Sequence, residues 1–211
     1  MSVKNILKRL SMATVGATTI AFATASTASA ASITFDFSSN NDIQQESFEL
    51  VEDGLKVTAT GEIRNGDSRD VFQGLGGFGV TEGDGESNEI DGQSLDFKET
   101  LNLKFDNLVT LISATFTNVD SNDEFTLFVD GDQLVSDTNI FGNETVDFTN
   151  IDATGTTLGF SVGEDADNDY FLKSVEVQEV PEPTSILGSL LVSGLGAMFY
   201  KKRKNQSDIT A

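Results

Sequence analysis

Apolar and polar residues alternate along most of the chain. The first example is the segment in which Ile33, Phe35 and Phe37 alternate with Thr34 and Asp36. A period of two places successive side chains on opposite faces of an extended strand, so the pattern predicts half-buried β-strands. The same period returns at these positions: Leu55, Val57 and Ala59; Leu101, Leu103 and Phe105; Val146 and Phe148; Leu158, Phe160 and Val162; Phe171, Lys173, Val175 and Val177.

Clusters of Gly, Asp and Asn separate these segments and are typical of turns. Between Val129 and Asp132 the dipeptide Asp130-Gly131 predicts a two-residue hairpin, because a type I′ turn needs positive φ at both central residues. No amphipathic helix is evident between the two ends of the chain. About nine or ten short strands predict an all-β domain over residues 31–180, an antiparallel two-sheet sandwich of jelly-roll type, with a core supplied mostly by Phe.

Charge is distributed very unevenly. Of the 13 basic residues, seven lie near the termini, and of the 34 acidic residues only Glu182 and Asp208 lie outside residues 31–180. The central domain therefore has six basic and 32 acidic residues, a net charge of about −26. Such a field repels nucleic acid and other polyanions, which excludes nucleic-acid binding. It is explained either by solubility outside the cell or by binding of divalent cations.

The chain contains no Cys and no His. A domain without Cys has no disulfides, so its stability depends on a hydrophobic core, with or without a bound metal. The absence of both residue types removes the favoured ligands of zinc and copper, and it excludes Ser-His and Cys-His catalysis. Carboxylate chemistry is the common enzymatic option that remains.

Two acidic segments contain candidate ligands for calcium, each shortly before a predicted strand. Ca²⁺ prefers six to eight hard oxygen ligands, and carboxylates packed in a turn supply them. The alternative is structural, since Asp and Asn are also good turn formers. A true EF-hand is rejected, because Tyr170 occupies the position that requires Gly. The candidate calcium ligands are Asp120, Asn122, Asp123, Asp165, Asp167 and Asp169.

Residues 74–92 are rich in Gly and acidic residues. Gly76-Gly77-Phe78-Gly79 begins like a calcium nonapeptide repeat, but Thr81 stands where Asp is needed and no second copy follows. We expect this segment to be a long loop between strands.

The N-terminal residues predict a signal peptide. Lys4, Lys8 and Arg9 precede an apolar stretch over residues 10–25. The small residues Ala28 and Ala30, followed by Ala31, fit the rule for signal peptidase, so residues 1–30 are predicted to be removed and the mature chain to start at Ala31.

The C-terminal residues predict a membrane segment. An uncharged apolar run starts at Ile186 and ends at Tyr200, and Lys201, Lys202, Arg203 and Lys204 follow it. With flanking residues the helix extends over about 184–200, close to the roughly 20 residues that cross a bilayer. The basic cluster favours the cytoplasmic side, so the domain should lie on the other face of the membrane. A polar tail, residues 205–211, ends the chain.

A tripartite pattern precedes that tail: Pro181-Glu182-Pro183, the apolar run 186–200 and the basic residues 201–204. In order and spacing it resembles the C-terminal sorting signal of the PEP-CTERM proteins of bacteria. The resemblance implies recognition by an exosortase, a membrane-embedded processing enzyme, and association with an exopolysaccharide matrix. It covers about thirty of the 211 residues, and the tail beyond Lys204 is longer than is usual in the family.

These observations leave two classes of function. The first is an exported cell-surface or extracellular-matrix protein with a structural or binding role, stabilised by calcium if the acidic loops bind it. A carbohydrate-binding module of the matrix is an alternative, favoured by a concave sheet face with polar side chains and a Tyr. The second class is an enzyme such as a glycoside hydrolase, which needs two carboxylates about 5–10 Å apart in a groove. We expect no enzymatic activity, since few aromatic residues fall outside predicted core positions.

Overall fold

The computed structural model describes residues 31–82, 87–92, 98–142, 144–163 and 168–181, and all regular structure in these ranges is β-strand. The all-β prediction is thereby confirmed. All pairings between the strands are antiparallel. The thirteen strands are β1 (Ser32–Asp36), β2 (Ile43–Gln45), β3 (Ser47–Glu52), β4 (Leu55–Ile63), β5 (Ser68–Gly74), β6 (Gly77–Thr81), β7 (Ile90–Asp91), β8 (Glu99–Thr117), β9 (Glu124–Val129), β10 (Asp132–Asn139), β11 (Thr145–Asp147), β12 (Thr154–Val162) and β13 (Asp169–Glu179).

Two hairpins use Asp-Gly turns. The predicted hairpin joins β9 to β10, with φ of 50° at Asp130 and 88° at Gly131, as type I′ geometry requires. A second hairpin joins β3 to β4 through Asp53 and Gly54, with φ of 50° and 92°. The sequence analysis did not single out this second turn, although it carries the same dipeptide signal.

Strand β8 is 19 residues long and gives the sheet its closure. Residues 99–105 pair with β4 on one side, and residues 100–104 pair with β12 on the other. Residues 109–117 pair with β13. Because β13 also pairs with β6, and the order continues through β5 to β4, the hydrogen-bonded path returns to β8 in a barrel-like ring. The strands thus form a continuous sheet that closes on itself.

The core lies inside this closed sheet and is rich in Phe. Phe116 is fully buried, and its ring lies 5.1 Å from that of Phe125, 6.1 Å from that of Phe160 and 5.2 Å from that of Tyr170, measured between centroids. Phe37 stacks on Phe78 at 4.6 Å. The expected role of Phe in the core is confirmed at these positions. Large aromatic rings bury much apolar area per residue, which suits a domain without disulfides.

Two segments differ from the predicted pattern. In β13 the buried residues change from Tyr170 and Leu172 to Val175 and Val177, because the pairing register with β8 shifts between Leu172 and Ser174. Phe171 therefore does not share the face of Val175, as strict alternation predicted.

The second difference concerns residues 74–92. The expected long loop is wrong for Gly77–Thr81, which form the fully buried strand β6. Glycine is required there by close backbone approach. A Cβ on Gly79 would lie 1.8 Å from the carbonyl oxygen of Asn88.

Strand β10 lies at the edge of the sheet. Among the described strands it pairs with β9. The register of this pairing shifts twice, between Gln133 and Val135 and between Val135 and Thr138. Asp137 adopts a φ of 42° within this irregular stretch.

In the ranges that the structure describes, no helix has the length and apolar character needed to cross a membrane. The predicted signal peptide, residues 1–30, and the predicted membrane helix, residues 184–200, lie outside those ranges.

Phe116→Ala tests the importance of the ring cluster. The substitution removes a fully buried ring from three aromatic contacts, so we expect it to lower the free energy of unfolding by about 3–5 kcal/mol in chemical denaturation. Phe141→Ala is the control, because Phe141 is 79% exposed and its removal should change stability by less than about 0.5 kcal/mol. Equal losses in the two variants would contradict this description of the core.

Candidate functional site

The structure brings three of the predicted calcium ligands close together. Asp120 and Asp123 lie in the turn between β8 and β9, and Asp169 begins β13 beside them. Asn122 is exposed in the same turn. Asp165 and Asp167 lie outside the described residues.

The residues of the two predicted processing signals lie at the described ends of the chain or beyond them. Ala31 and Pro181 are both exposed. Ala28, Ala30, Glu182 and Pro183 lie outside the described residues, so these predictions stay predictions.

The buried carboxylate of Asp123 organises the acidic turn. It accepts a hydrogen bond from the backbone N–H of Asp120 at 2.5 Å, and another from the backbone N–H of Asp169 at 3.2 Å. The carbonyl oxygen of Asp123 accepts a third from the N–H of Ile140 at 2.8 Å. Asp123 therefore links the turn to β13 and to the end of β10, a structural role that its residue type alone did not reveal.

Two further acidic residues surround Asp169. Asp91 of β7 pairs with it across the sheet, and Glu89 precedes Asp91. Burial, followed by the charges of Glu89, Asp123, Asp120 and Asp91, raises the pKa of Asp169 to about 6. Burial and the neighbouring carboxylates also raise the pKa of Glu89, although the Asn118 amide donates a hydrogen bond to it. Like charges thus repel one another here at neutral pH.

The acidic cluster does not have the geometry of a metal site. Among the residues that the structure describes, no group of three or more carboxylates converges closely enough to hold a metal ion. The calcium site therefore stays a prediction. Of its predicted ligands, Asp120, Asp123 and Asp169 are the ones that hydrogen bonds hold together in the described structure.

A second feature is a polar groove of about 370 Å³ on the outer face of the sheet. It crosses β4, β8, β12, β9 and β10, which are neighbours in the sheet order. Its size falls within the range of small-molecule binding sites. The residues that line it are Glu62, Ile63, Arg64, Gly66, Lys98, Thr100, Asn102, Thr126, Phe128, Gly131, Gln133, Asp137, Thr157, Gly159, Ser161 and Val162.

Strand register sets the floor of the groove in two cross-strand rows. The first row runs through Glu62, Thr100, Ser161 and Thr126, and ends near Asp137, whose N–H donates to the Thr126 hydroxyl at 3.4 Å. The second row consists of Asn102, Gly159, Phe128 and Gln133. Alternation along each strand gives both rows the outer face, because their neighbours, such as Leu101 and Leu127, are buried in the core.

Close packing across the second row requires glycine at position 159. A Cβ there would lie 2.9 Å from Asn102 Oδ1 and 3.3 Å from Phe128 Cβ, both shorter than an ordinary van der Waals contact. Any larger residue would therefore displace the Asn102 amide. On the core side of the sheet, the buried Tyr170 hydroxyl donates to the carbonyl oxygen of Ser161 at 2.9 Å, which supports the floor from below.

Phe128 is the aromatic residue among the described residues that line the groove. Its ring is partly exposed and has no ring partner among the described residues, whereas Tyr170 is fully buried. The sequence analysis missed Phe128. The alternation in β9 could have indicated its location. Phe125 and Leu127 alternate with Thr126 and Phe128, which puts Phe128 on the polar face.

Comparison of the chain with known protein families, with curated proteins and with solved structures finds no match. The site is therefore interpreted from its own residues.

Asp169→Asn tests the repulsion in the acidic cluster. Because the folded pKa of Asp169 lies above its ordinary value of 3.8, the neutral form stabilises the fold below about pH 4, and this contribution is lost as pH rises through about 6. Asn keeps the neutral form at every pH. We expect the variant to be more stable than the wild type by on the order of 1 kcal/mol at about pH 7.5, after allowance for solvent screening, and equal to it at about pH 4.

The control variant is Asp147→Asn. Hydrogen bonds from the hydroxyl and N–H of Thr149 lower the pKa of Asp147, so its charged form stabilises the fold at neutral pH and this contribution is lost as pH falls. This variant should therefore lose stability at about pH 7.5, opposite in sign to Asp169→Asn. A gain for Asp169→Asn that is the same at both pH values would show that charge repulsion is not its cause.

Proposed function

We propose that the chain is an exported, exosortase-sorted protein of the cell surface or extracellular matrix, with a structural or binding role and no catalytic activity. The support for its location is the combination of residues 1–30 with the tripartite signal at residues 181–204. Its partners in processing are then a signal peptidase and an exosortase-type membrane enzyme. Before processing, the C-terminal helix anchors it in the membrane.

The polar groove is the observation that supports a binding role best. It combines a cavity of about 370 Å³ with polar side chains and one partly exposed ring, the usual composition of a ligand site. Its position on regular strands, held by cross-strand pairing, gives it a preformed floor.

The charges of the groove argue against a glycoside hydrolase. Among the described lining residues the acidic ones are Glu62 on β4 and Asp137 on β10, at opposite ends of a row that crosses five strands. Four strand spacings separate their backbones by about 19 Å along the sheet. The acid and base of such an enzyme stand about 5–10 Å apart, so this pair does not have the required geometry.

The second candidate is a carbohydrate-binding module of the exopolysaccharide matrix. A concave sheet face with exposed polar side chains and a Tyr is the feature expected to favour it. The groove has polar side chains, but Tyr170 is fully buried and Phe128 is the aromatic residue that lines the groove among the described residues. This candidate is a narrower version of the binding role and shares its location.

For the finer architecture, we propose the two facing layers of a jelly-roll sandwich. The two parts of β8 support it, because residues 99–105 pair with β4 and residues 109–117 pair with β13, whereas β12 pairs with both parts, at residues 100–104 and 109–110. One long strand of this kind would bend from one layer into the other.

Calcium stabilisation is a separate proposal for an acidic cluster that does not form a converged metal site in the described structure. Its support is the hard oxygen ligands of Asp120, Asp123 and Asp169 and the raised pKa of Asp169. Thermal unfolding of the purified protein in about 1–5 mM Ca²⁺ should then give a higher Tm than in EDTA, since a ligand of the folded state alone raises stability. Asp169→Asn should reduce the shift and Asp147→Asn should not. An unchanged Tm in the wild type would contradict calcium binding.

The sorting proposal predicts the fate of a double variant, Pro181→Ala with Pro183→Ala. Export depends on the N-terminal segment, so the variant should still leave the cytoplasm with Ala31 as its first residue. C-terminal processing should fail, because the motif is altered. Cell fractionation and intact-mass analysis measure the two steps separately.

The control for that experiment is Asn205→Ala with Gln206→Ala, in the polar tail beyond the tripartite signal. It should be processed like the wild type. Normal processing of the proline variant, or retention of the wild type in the cytoplasm, would contradict the proposed route.

A further inference from the structure

We propose that the groove across β4, β8, β12, β9 and β10 binds a neutral polysaccharide chain. This inference rests on the binding role proposed above and names its ligand class. It depends on three properties of the residues that the structure describes in the groove: two amides without a hydrogen bond, a partly exposed ring and a balanced charge.

Two amide side chains in the groove can both donate and accept hydrogen bonds. Asn102 and Gln133 lie in the same cross-strand row and line the groove. Within the part of the chain that the structure describes, their side chains make no hydrogen bond. An amide offers two donors and one acceptor oxygen, which matches the hydroxyl groups of a sugar, since each hydroxyl donates and accepts. A ligand rich in hydroxyls would satisfy these groups.

Phe128 provides an apolar surface between the two amides. It lies next to Gln133 in the pairing of β9 with β10, and Gly159 separates it from Asn102. A sugar ring carries C–H groups on its faces and hydroxyls around its edge, so a ring placed over Phe128 presents its edge to the amides. The missing side chain at Gly159 lets the Asn102 amide pack against the sheet beside Phe128, so that the amide and the ring lie on the same part of the groove.

The shape of the groove favours a chain over a single sugar. The lining residues come from five neighbouring strands, so the groove extends about 19 Å across the sheet. Gly131 at the β9–β10 turn contributes to one end, and Arg64 and Gly66 contribute to the other. A linear saccharide placed across the strands would contact both ends and the central ring.

Charge decides between a neutral and an anionic saccharide. Among the lining residues that the structure describes, Glu62 and Asp137 balance Arg64 and Lys98, so these residues have no net formal charge. The surrounding domain carries 32 acidic and six basic residues, and its field opposes the approach of a polyanion. This field does not repel a neutral polysaccharide. Hydrogen bonds to the hydroxyl groups of such a ligand do not require a net charge on the groove.

The test is calorimetric titration of the purified full-length protein with neutral oligosaccharides, namely glucan, mannan and galactan hexamers, and with polygalacturonate as an anionic probe. At least one neutral hexamer should bind with an affinity that changes little between low and high salt. Phe128→Ala, and separately Asn102→Ala with Gln133→Ala, should weaken that binding at least about tenfold, the size expected for lost ring or hydrogen-bond contacts.

Two further variants complete the design. Gly159→Thr should displace the Asn102 amide, because a Cβ there would lie 2.9 Å from its Oδ1, and should therefore abolish binding. The thermal unfolding curve shows whether this variant still folds. Thr60→Ala is the matched control, because Thr60 lies in the same cross-strand row, opposite Asn102, but outside the groove. It should bind like the wild type.

The outcomes separate this inference from the proposed location. Absence of binding to every neutral probe, preference for polygalacturonate, or equal binding by the Phe128 and Thr60 variants would overturn the groove as a neutral saccharide site. None of these results depends on export. An exported protein whose groove binds no saccharide can therefore be distinguished from a saccharide-binding protein that is not exported.

Discussion

The double pairing of β8 is the constraint on which the rest of the structure depends. Its first half holds β4 and β12, and its second half holds β13 and β11. The core-facing residues of the strand, among them Leu101, Leu103 and Phe116, are fully buried along its length. The ring cluster, the groove floor and the position of the acidic turn all follow from partners that β8 aligns. Because no disulfide exists, hydrogen bonding and apolar burial alone maintain that alignment.

Local signals were sufficient for the strands and for one hairpin. The alternation at Leu55, Val57 and Ala59 reflects a face that is fully buried, and Asp130-Gly131 forms the expected turn. The length of β8 could not be predicted, because Asp106 and Asn107 interrupt its apolar pattern and resemble a turn. The buried glycine strand β6 was missed for a related reason. Its glycines reflect close backbone contacts with distant segments, and sequence spacing does not show such contacts.

The candidate sites depended still more on distant contacts. The sequence identified Asp120, Asp123 and Asp169 as chemically similar residues, but their proximity follows from the approach of β13 to the β8–β9 turn. It could not identify Glu89 and Asp91 as neighbours of Asp169. The groove could not be predicted from the sequence, because its two rows depend on the pairing register of five strands. Phe128 illustrates the general case, because the chemistry of the residue was visible and its environment was not.

The irregular edge strand β10 has a consequence for contacts between copies of this chain at high concentration. A straight, regular edge offers unpaired N–H and C=O groups to the same edge of a neighbouring molecule, and such contacts propagate into aggregates. In β10 the two register shifts break the straight line of these groups, and Asp132 and Asp137 add like charges to each facing copy. Neighbouring molecules can therefore be crowded together without joining their sheets, and each domain remains a separate folded unit.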